Sequence, residues 1–121
     1  MKRVIFVGEE PSALALKMGV TWEDGRLAAK QLFDGFQAIG FDPSEAEFIN
    51  LFNKGREDQR VLSLLKSADM PIVAMGRKVQ KSLDRHDIKY IPIVHPAARG
   101  KIRKKERYIS HLREKLEMLS L

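Results

Sequence analysis

Residues 3–12 read Arg3-Val4-Ile5-Phe6-Val7-Gly8-Glu9-Glu10-Pro11-Ser12, an apolar run that ends in a glycine followed by two carboxylates. Val, Ile and Phe favour β-strands, and a run without polar alternation is typical of a strand that is covered on both faces. Three later runs have the same character. We therefore predict four strands, at Arg3–Val7, Glu47–Leu51, Pro71–Ala74 and Tyr90–Val94.

Apolar residues at helical spacing lie between these strands and after the last one. The stripes are Leu27, Ala28, Leu32, Phe36 and Ile39 before Gly40; Val61, Leu62, Leu65 and Ala68; Val79 and Leu83 after Gly76; and Tyr108, Ile109, Leu112, Leu116 and Leu119. The alternating order predicts an α/β fold with a mostly parallel, four-stranded central sheet in a three-layer α/β/α arrangement. We expect residues 1–121 to form a single domain, because this length supports one hydrophobic core.

Polar residues follow each of the four predicted strands. They are Gly8-Glu9-Glu10-Pro11-Ser12, then Asn50, then Gly76-Arg77-Lys78, and finally His95-Pro96-Ala97-Ala98-Arg99. The carboxyl ends of parallel strands meet at one edge of a sheet, and ligands bind there where the strand order reverses. We therefore expect carboxylates, an amide, an imidazole and several cations to converge on one cleft.

The composition narrows the kinds of chemistry that this cleft can perform. The chain has no cysteine, which excludes disulfides, thiol catalysis and cysteine-ligated metals. Its 3 histidines lack the spacing of a zinc site, so we expect neither a metal nor another cofactor. A run of about 18 apolar residues, enough to span a bilayer, does not occur. The first apolar stretch is too short for a signal peptide, and we expect a cytoplasmic monomer.

Most of the net charge of +6 comes from one segment. Residues 99–107 (RGKIRKKER) contain 6 basic residues and 1 acidic residue, which leaves 16 basic and 15 acidic residues elsewhere. Such a segment attracts polyanions by neutralising phosphates and releasing counterions, although it could also be a solvated surface. Its position directly after His95-Pro96 favours a role beside the predicted cleft.

Four of these segments together resemble the motifs of the uracil-DNA glycosylase superfamily. Gly8-Glu9-Glu10-Pro11-Ser12 is similar to its first motif, G-E-A-P-G in the iron–sulfur microbial branch and G-Q-D-P-Y in another. Phe48-Ile49-Asn50-Leu51 resembles the strand that ends in the uracil-recognising asparagine, and Ile72–Arg77 resembles the segment before the last motif. His95-Pro96 looks like the start of that last motif, H-P-S, in which Ala97 here replaces the serine.

The resemblance implies a role for each residue of the cleft. Glu9 or Glu10, with a slight preference for Glu10, would stabilise the cationic sugar or activate water. Asn50 would read the base, and His95 would face the uracil oxygen as a neutral donor or an imidazolium. Trp22, the single tryptophan, would stack on the flipped base. Structural alternatives are a helix-capping carboxylate, an asparagine that closes a strand, and a histidine bonded to the backbone.

The same resemblance implies DNA as the partner. Residues that would contact its phosphates are Ser12, Arg77, Lys78, Arg99, Lys101, Arg103, Lys104 and Lys105. The implied function is excision of uracil or a related deaminated base from DNA. Two alternatives remain open: a non-catalytic module that binds nucleic acid or nucleotides, and a hydrolase of free nucleotides.

Overall fold

The computed structural model describes residues 2–10, 13–19, 21–22, 28–96 and 105–120. Within these residues the chain is an α/β protein with a four-stranded, all-parallel central sheet, a two-stranded hairpin and five α-helices. The strands are β1 (Val4–Gly8), β2 (Ala46–Asn50), β3 (Phe52–Asn53), β4 (Arg56–Glu57), β5 (Ile72–Met75) and β6 (Ile91–Ile93). The helices are α1 (Ala13–Met18), α2 (Ala28–Ile39), α3 (Gln59–Lys66), α4 (Arg77–Arg85) and α5 (Lys105–Leu116), with 3-10 turns at Pro43–Glu45 and Glu117–Ser120.

The central sheet has the strand order β2-β1-β5-β6. Its register pairs Gly8 with Asn50 on one side of β1 and Val7 with Ala74 on the other. After β2 the chain crosses back over β1 to form β5, so the strand order reverses between β1 and β5. The carboxyl ends of β1 and β5 therefore flank the position at which open α/β sheets bind ligands.

The edge strand β6 is held to β5 by pairs that include Ala74 with Pro92 and Met75 with Ile93. Pro92 is exposed, whereas Ile93 is buried. The carbonyl oxygen of Ile93 accepts a hydrogen bond of 3.0 Å from the backbone N–H of Gly76. This contact connects the end of β6 with the start of α4.

Both faces of the sheet are covered, as the alternation along β1 shows. Val4 and Phe6 belong to one core cluster, and Ile5 and Val7 belong to another. Successive side chains of a strand point to opposite faces, so the two clusters lie on opposite sides of the sheet. The first cluster contains Leu32 and Phe36 of α2 and Tyr108, Leu112 and Leu116 of α5; the second contains Leu62 and Leu65 of α3 and Val79 and Leu83 of α4. This arrangement is compatible with a three-layer α/β/α fold.

The elements predicted from the sequence agree closely with those observed. Each of the four central strands is found within one or two residues of its predicted bounds, and α4 begins directly after Gly76 as expected. The helix α1 and the hairpin of β3 and β4 are not predicted from the sequence pattern. The hairpin turns at Lys54 and Gly55, both with positive φ (51° and 77°), which is the geometry of tight two-residue hairpins.

Candidate functional site

The backbone at the carboxyl end of β1 is fixed by the segment that follows β2. The carbonyl oxygen of Gly8 accepts a hydrogen bond of 2.9 Å from the N–H of Leu51. That of Glu9 accepts one of 2.7 Å from the N–H of Phe52. These bonds prolong the parallel pairing beyond the strand itself. These bonds therefore fix the backbone of Glu9, whose side chain is partly buried, at the edge of the sheet.

Gly8 is enclosed by two of the predicted site residues. A Cβ atom at this position would lie 2.8 Å from Cζ2 of Trp22 and 3.1 Å from Oδ1 of Asn50. The first distance is too short for any side chain, so the indole packs directly on the glycine backbone. The close approach of indole and backbone is possible because residue 8 is glycine.

Trp22 connects the amide with the imidazole of the predicted site. Its indole Nε1–H donates a hydrogen bond of 2.9 Å to Oδ1 of Asn50. Its ring is stacked on Phe48 with centroids 6.4 Å apart, and it meets the ring of His95 edge-on, also at 6.4 Å. Trp22 therefore contacts both Asn50 and His95, and it packs with Asn50 against Gly8.

His95 follows β6 and packs against the glycine that follows β5. Gly76 has φ +93°, and a Cβ on it would lie 3.2 Å from Cβ of His95. Burial lowers the pKa of His95 below its ordinary value of 6.5, and the charge of Glu9 opposes this shift by favouring the protonated form. Burial is the larger effect, so the imidazole is neutral near pH 7, with the carboxylate of Glu9 acting on it electrostatically.

The peptide group before His95 is held by two side chains of α5. The N–H of Val94 donates a hydrogen bond of 2.9 Å to Nε2 of His111. The carbonyl oxygen of Val94 accepts one of 3.2 Å from the hydroxyl of Tyr108. The sequence pattern predicts Tyr108 on the core stripe of this helix and assigns no role to His111. The sequence does carry a signal for these bonds. Tyr108 and His111 are three residues apart on a mostly buried helical face, and buried polar groups there need hydrogen-bond partners.

A side chain of α4 also bonds the backbone at the end of β6. The side-chain amide of Gln80 donates to the carbonyl oxygens of Ala74 and Ile93, at 3.1 and 3.0 Å. Together with the bond between Gly76 and Ile93, these contacts tie the ends of β5 and β6 to each other. His95 is thus presented by a loop whose preceding backbone is bonded on both sides.

The remaining predicted residues lie at several positions relative to this cluster. Glu10 is partly buried and follows Glu9 at the end of β1. Arg77 and Lys78 are exposed in the first turn of α4, with Nζ of Lys78 4.4 Å from the centroid of Phe52. The predicted phosphate contacts Ser12, Arg99, Lys101, Arg103 and Lys104 lie outside the described residues, and Lys105 is the first residue of α5.

Two cavities open at the opposite edge of the sheet, where the strands begin. One, of about 470 Å³, is lined by residues such as Lys66, Pro71 and Lys89. The other, of about 610 Å³, is lined by Arg3, Glu45 and Leu119 among others. Among the described residues that line these cavities, none is predicted for the site.

Within the ranges that the structure describes, no group of three or more His, Asp or Glu side chains could hold a metal ion. None of the helices in those ranges is long and apolar enough to cross a membrane. A comparison of the sequence with known protein families found no match, and a comparison with curated proteins found none either. The function is therefore inferred from the cluster of Trp22, Asn50 and His95 at the carboxyl edge of a parallel sheet.

Proposed function

We propose that this protein is a DNA glycosylase-like hydrolase on a uracil-DNA glycosylase-like, three-layer fold, which cleaves the N-glycosidic bond of uracil or a related deaminated base in DNA. The observation that carries the proposal is the contact of Trp22 with both Asn50 and His95 at the carboxyl edge of the sheet, with the charge of Glu9 acting on His95. The resemblance of the surrounding segments to the superfamily motifs supports the same assignment.

In this proposal the two carboxylates act on the sugar. Cleavage of a deoxyuridine places positive charge on the sugar, and an adjacent carboxylate stabilises that charge or orients the attacking water. Of the two, Glu9 has the better structural support, because its charge acts on His95 and its backbone is bonded to Phe52. Glu10, slightly preferred from the sequence, is the other candidate for this role.

The departing base carries the compensating negative charge, which the amide and the imidazole would stabilise. A neutral imidazole can donate an N–H to a carbonyl oxygen, and the lowered pKa of His95 keeps it neutral near pH 7. The Asn50 side chain offers both a donor and an acceptor to the edge of a pyrimidine. Arg77, Lys78 and the basic segment of residues 99–107 would hold the phosphates on either side.

The test is release of free uracil from an oligonucleotide that contains a single deoxyuridine. We expect release by the wild type, and a loss of about 10²- to 10⁴-fold in rate for His95→Ala and for whichever of Glu9→Gln and Glu10→Gln removes the catalytic carboxylate. Glu47→Gln is the matched control, because Glu47 is an exposed carboxylate on the same sheet. Absence of release at high concentration of folded protein would contradict the proposal.

The alternative is a non-catalytic module that binds nucleic acid or nucleotides on the same fold. It is favoured by the hydrogen bond from Trp22 to Asn50, because this bond already engages the amide expected to read the base. Such a module would bind DNA in a salt-dependent manner, and binding would survive His95→Ala and Glu10→Gln. Excision and binding measured on the same variants therefore distinguish the two functions, and free dUMP as substrate tests whether the polymer is required.

A further inference from the structure

The indole of Trp22 occupies the centre of the candidate site. It lies on the backbone of Gly8, is stacked on Phe48 and has the edge of His95 beside it. Its N–H donates to Oδ1 of Asn50 in a bond of 2.9 Å. Four separate groups, contributed by β1, β2 and the segment after β6, therefore contact one planar ring.

These contacts are the ones that a nucleobase would use. A pyrimidine or purine lactam is also planar and aromatic, and it also carries an N–H in the plane of its ring. It would stack on the same face, donate to the same Oδ1 atom and present an edge to the same imidazole. The indole excludes a second ring from that space, because two of its carbons lie 2.8 and 3.3 Å from the point where a Cβ of residue 8 would stand. In this position Trp22 takes the place of the base and does not stack on it, unlike the role that the resemblance implies.

We propose that the indole of Trp22 marks the binding position of a planar N-heterocycle with an in-plane N–H, and that Trp22 competes with this ligand for Asn50. The ligand class rests on the proposed function, since a base flipped from DNA is such a heterocycle. The competition follows from the contacts alone. The affinity for an incoming base is reduced by the fraction of molecules in which the indole occupies the site.

Removal of the indole should therefore create a binding site for a free ring. In Trp22→Ala the space between Gly8, Phe48, Asn50 and His95 is vacated, and a planar ring can fill it with Phe48 on its face and Asn50 as acceptor for its N–H. We expect Trp22→Ala to bind free uracil roughly tenfold or more tightly than the wild type, measured by isothermal titration calorimetry. Indole itself should bind to Trp22→Ala and restore part of the stability lost in that variant.

Two further variants connect the binding to the proposed contacts. Trp22→Ala combined with Asn50→Ala should lose the gain in uracil affinity, because the acceptor for the ring N–H is absent. Trp22→Phe keeps a ring but lacks the N–H, so it competes less well and should bind uracil about fivefold more tightly than the wild type. Because this change is small, Trp22→Phe also serves as the test should Trp22→Ala fail to fold.

The wild type carries its own reporter, since Trp22 is the single tryptophan of the chain. Saturating uracil should move its emission to longer wavelength as the indole leaves the site for water. Equal uracil affinity in the wild type, Trp22→Ala and Trp22→Phe would overturn the inference. If the wild type releases no uracil from DNA but the Trp22 variants still show the expected increases in uracil affinity, the proposed function alone is overturned. The binding measurements do not depend on catalysis.

Discussion

Gly8 is the residue at which the candidate site tolerates least change. We expect Gly8→Ala to destabilise the protein by about 1–3 kcal/mol, because its Cβ would meet Trp22 at 2.8 Å and Asn50 at 3.1 Å. Relief of this overlap requires the indole to move. Chemical denaturation measures the stability, and the emission of the single tryptophan measures the displacement.

Gly40→Ala is the matched control for this change. Gly40 has φ +75°, and in the described part of the chain no residue beyond its sequence neighbours has an atom within 4 Å of the point where a Cβ would stand, so alanine there is strained without contacting the indole. It should lower stability by about 1 kcal/mol and leave the emission of Trp22 unchanged. An unchanged emission in Gly8→Ala as well would show that the indole does not rest on residue 8.

At the scale of the element, α5 acts as the support for the loop that carries His95. Nε2 of His111 accepts the Val94 N–H, so the imidazole must be neutral at that nitrogen. Burial and the nearby Lys115 lower the pKa of His111 below its ordinary 6.5, against an opposing contribution from Glu114. As the pH falls through 6.5 the unfolded chain takes up the proton first, so the contribution of His111 to folding decreases until the folded pKa is passed.

The variant His111→Gln isolates this effect, because a glutamine can still accept a hydrogen bond but does not titrate. We expect it to be less stable than the wild type by about 0.5–1.5 kcal/mol at neutral pH. The difference should shrink as the pH is lowered, since only the wild type loses stability through residue 111. Denaturation curves at several pH values measure it. The other titrating groups, His95 among them, are common to both proteins, and a constant difference would contradict the prediction.

A second inter-element contact joins the hairpin of β3 and β4 to α4. The carboxylate of Glu57 accepts hydrogen bonds from the hydroxyl of Ser82, which is fully buried, and from Nε2 of His86 at 3.1 Å. The hydrogen bond from Ser82 is the main reason that the pKa of Glu57 is lowered from its ordinary 4.5. Stability from this group is therefore present above pH 4.5 and is lost as the pH falls through the lower, folded pKa.

We expect Ser82→Ala to lower the free energy of unfolding by about 1–3 kcal/mol at neutral pH, because a charged acceptor loses its buried donor. Ser63→Ala, an exposed serine of α3, is the matched control and should change stability by less than about 0.5 kcal/mol. Ser82→Ala should also raise the pKa of Glu57, which titration followed by NMR would measure. Equal stabilities of the two variants would show that the contact contributes nothing.

At the scale of the whole molecule, the charge is concentrated in residues 99–107, while the rest of the chain is nearly neutral. Replacement of Arg103, Lys104 and Lys105 by Ala should reduce the slope of log K against log salt for DNA binding by about 2 to 3. Lys66→Ala with Lys89→Ala is the control, because these lysines line the cavity at the opposite edge of the sheet. Equal slopes for both sets would contradict a phosphate contact by the basic segment.

The central sheet could be predicted because its strands are short, mostly apolar runs, of which β1 is the clearest. Its five residues are all buried, and a run of that kind identifies the centre of a parallel sheet. The hairpin was harder to predict, since β3 and β4 have two residues each and depend on the positive φ of Lys54 and Gly55. The bond between Trp22 and Asn50 links positions 28 residues apart, and periodicity carries no information about such contacts.

Pro92 limits how the sheet can grow. The carbonyl of Ile93 points towards β5, where it meets Gly76, so the backbone of the preceding residue faces the other side of β6, where no strand of the described residues pairs with it. At that position a proline has no N–H to offer. A strand from another molecule would therefore find a three-residue edge that lacks its middle donor, which disfavours the edge-to-edge pairing through which exposed sheets aggregate.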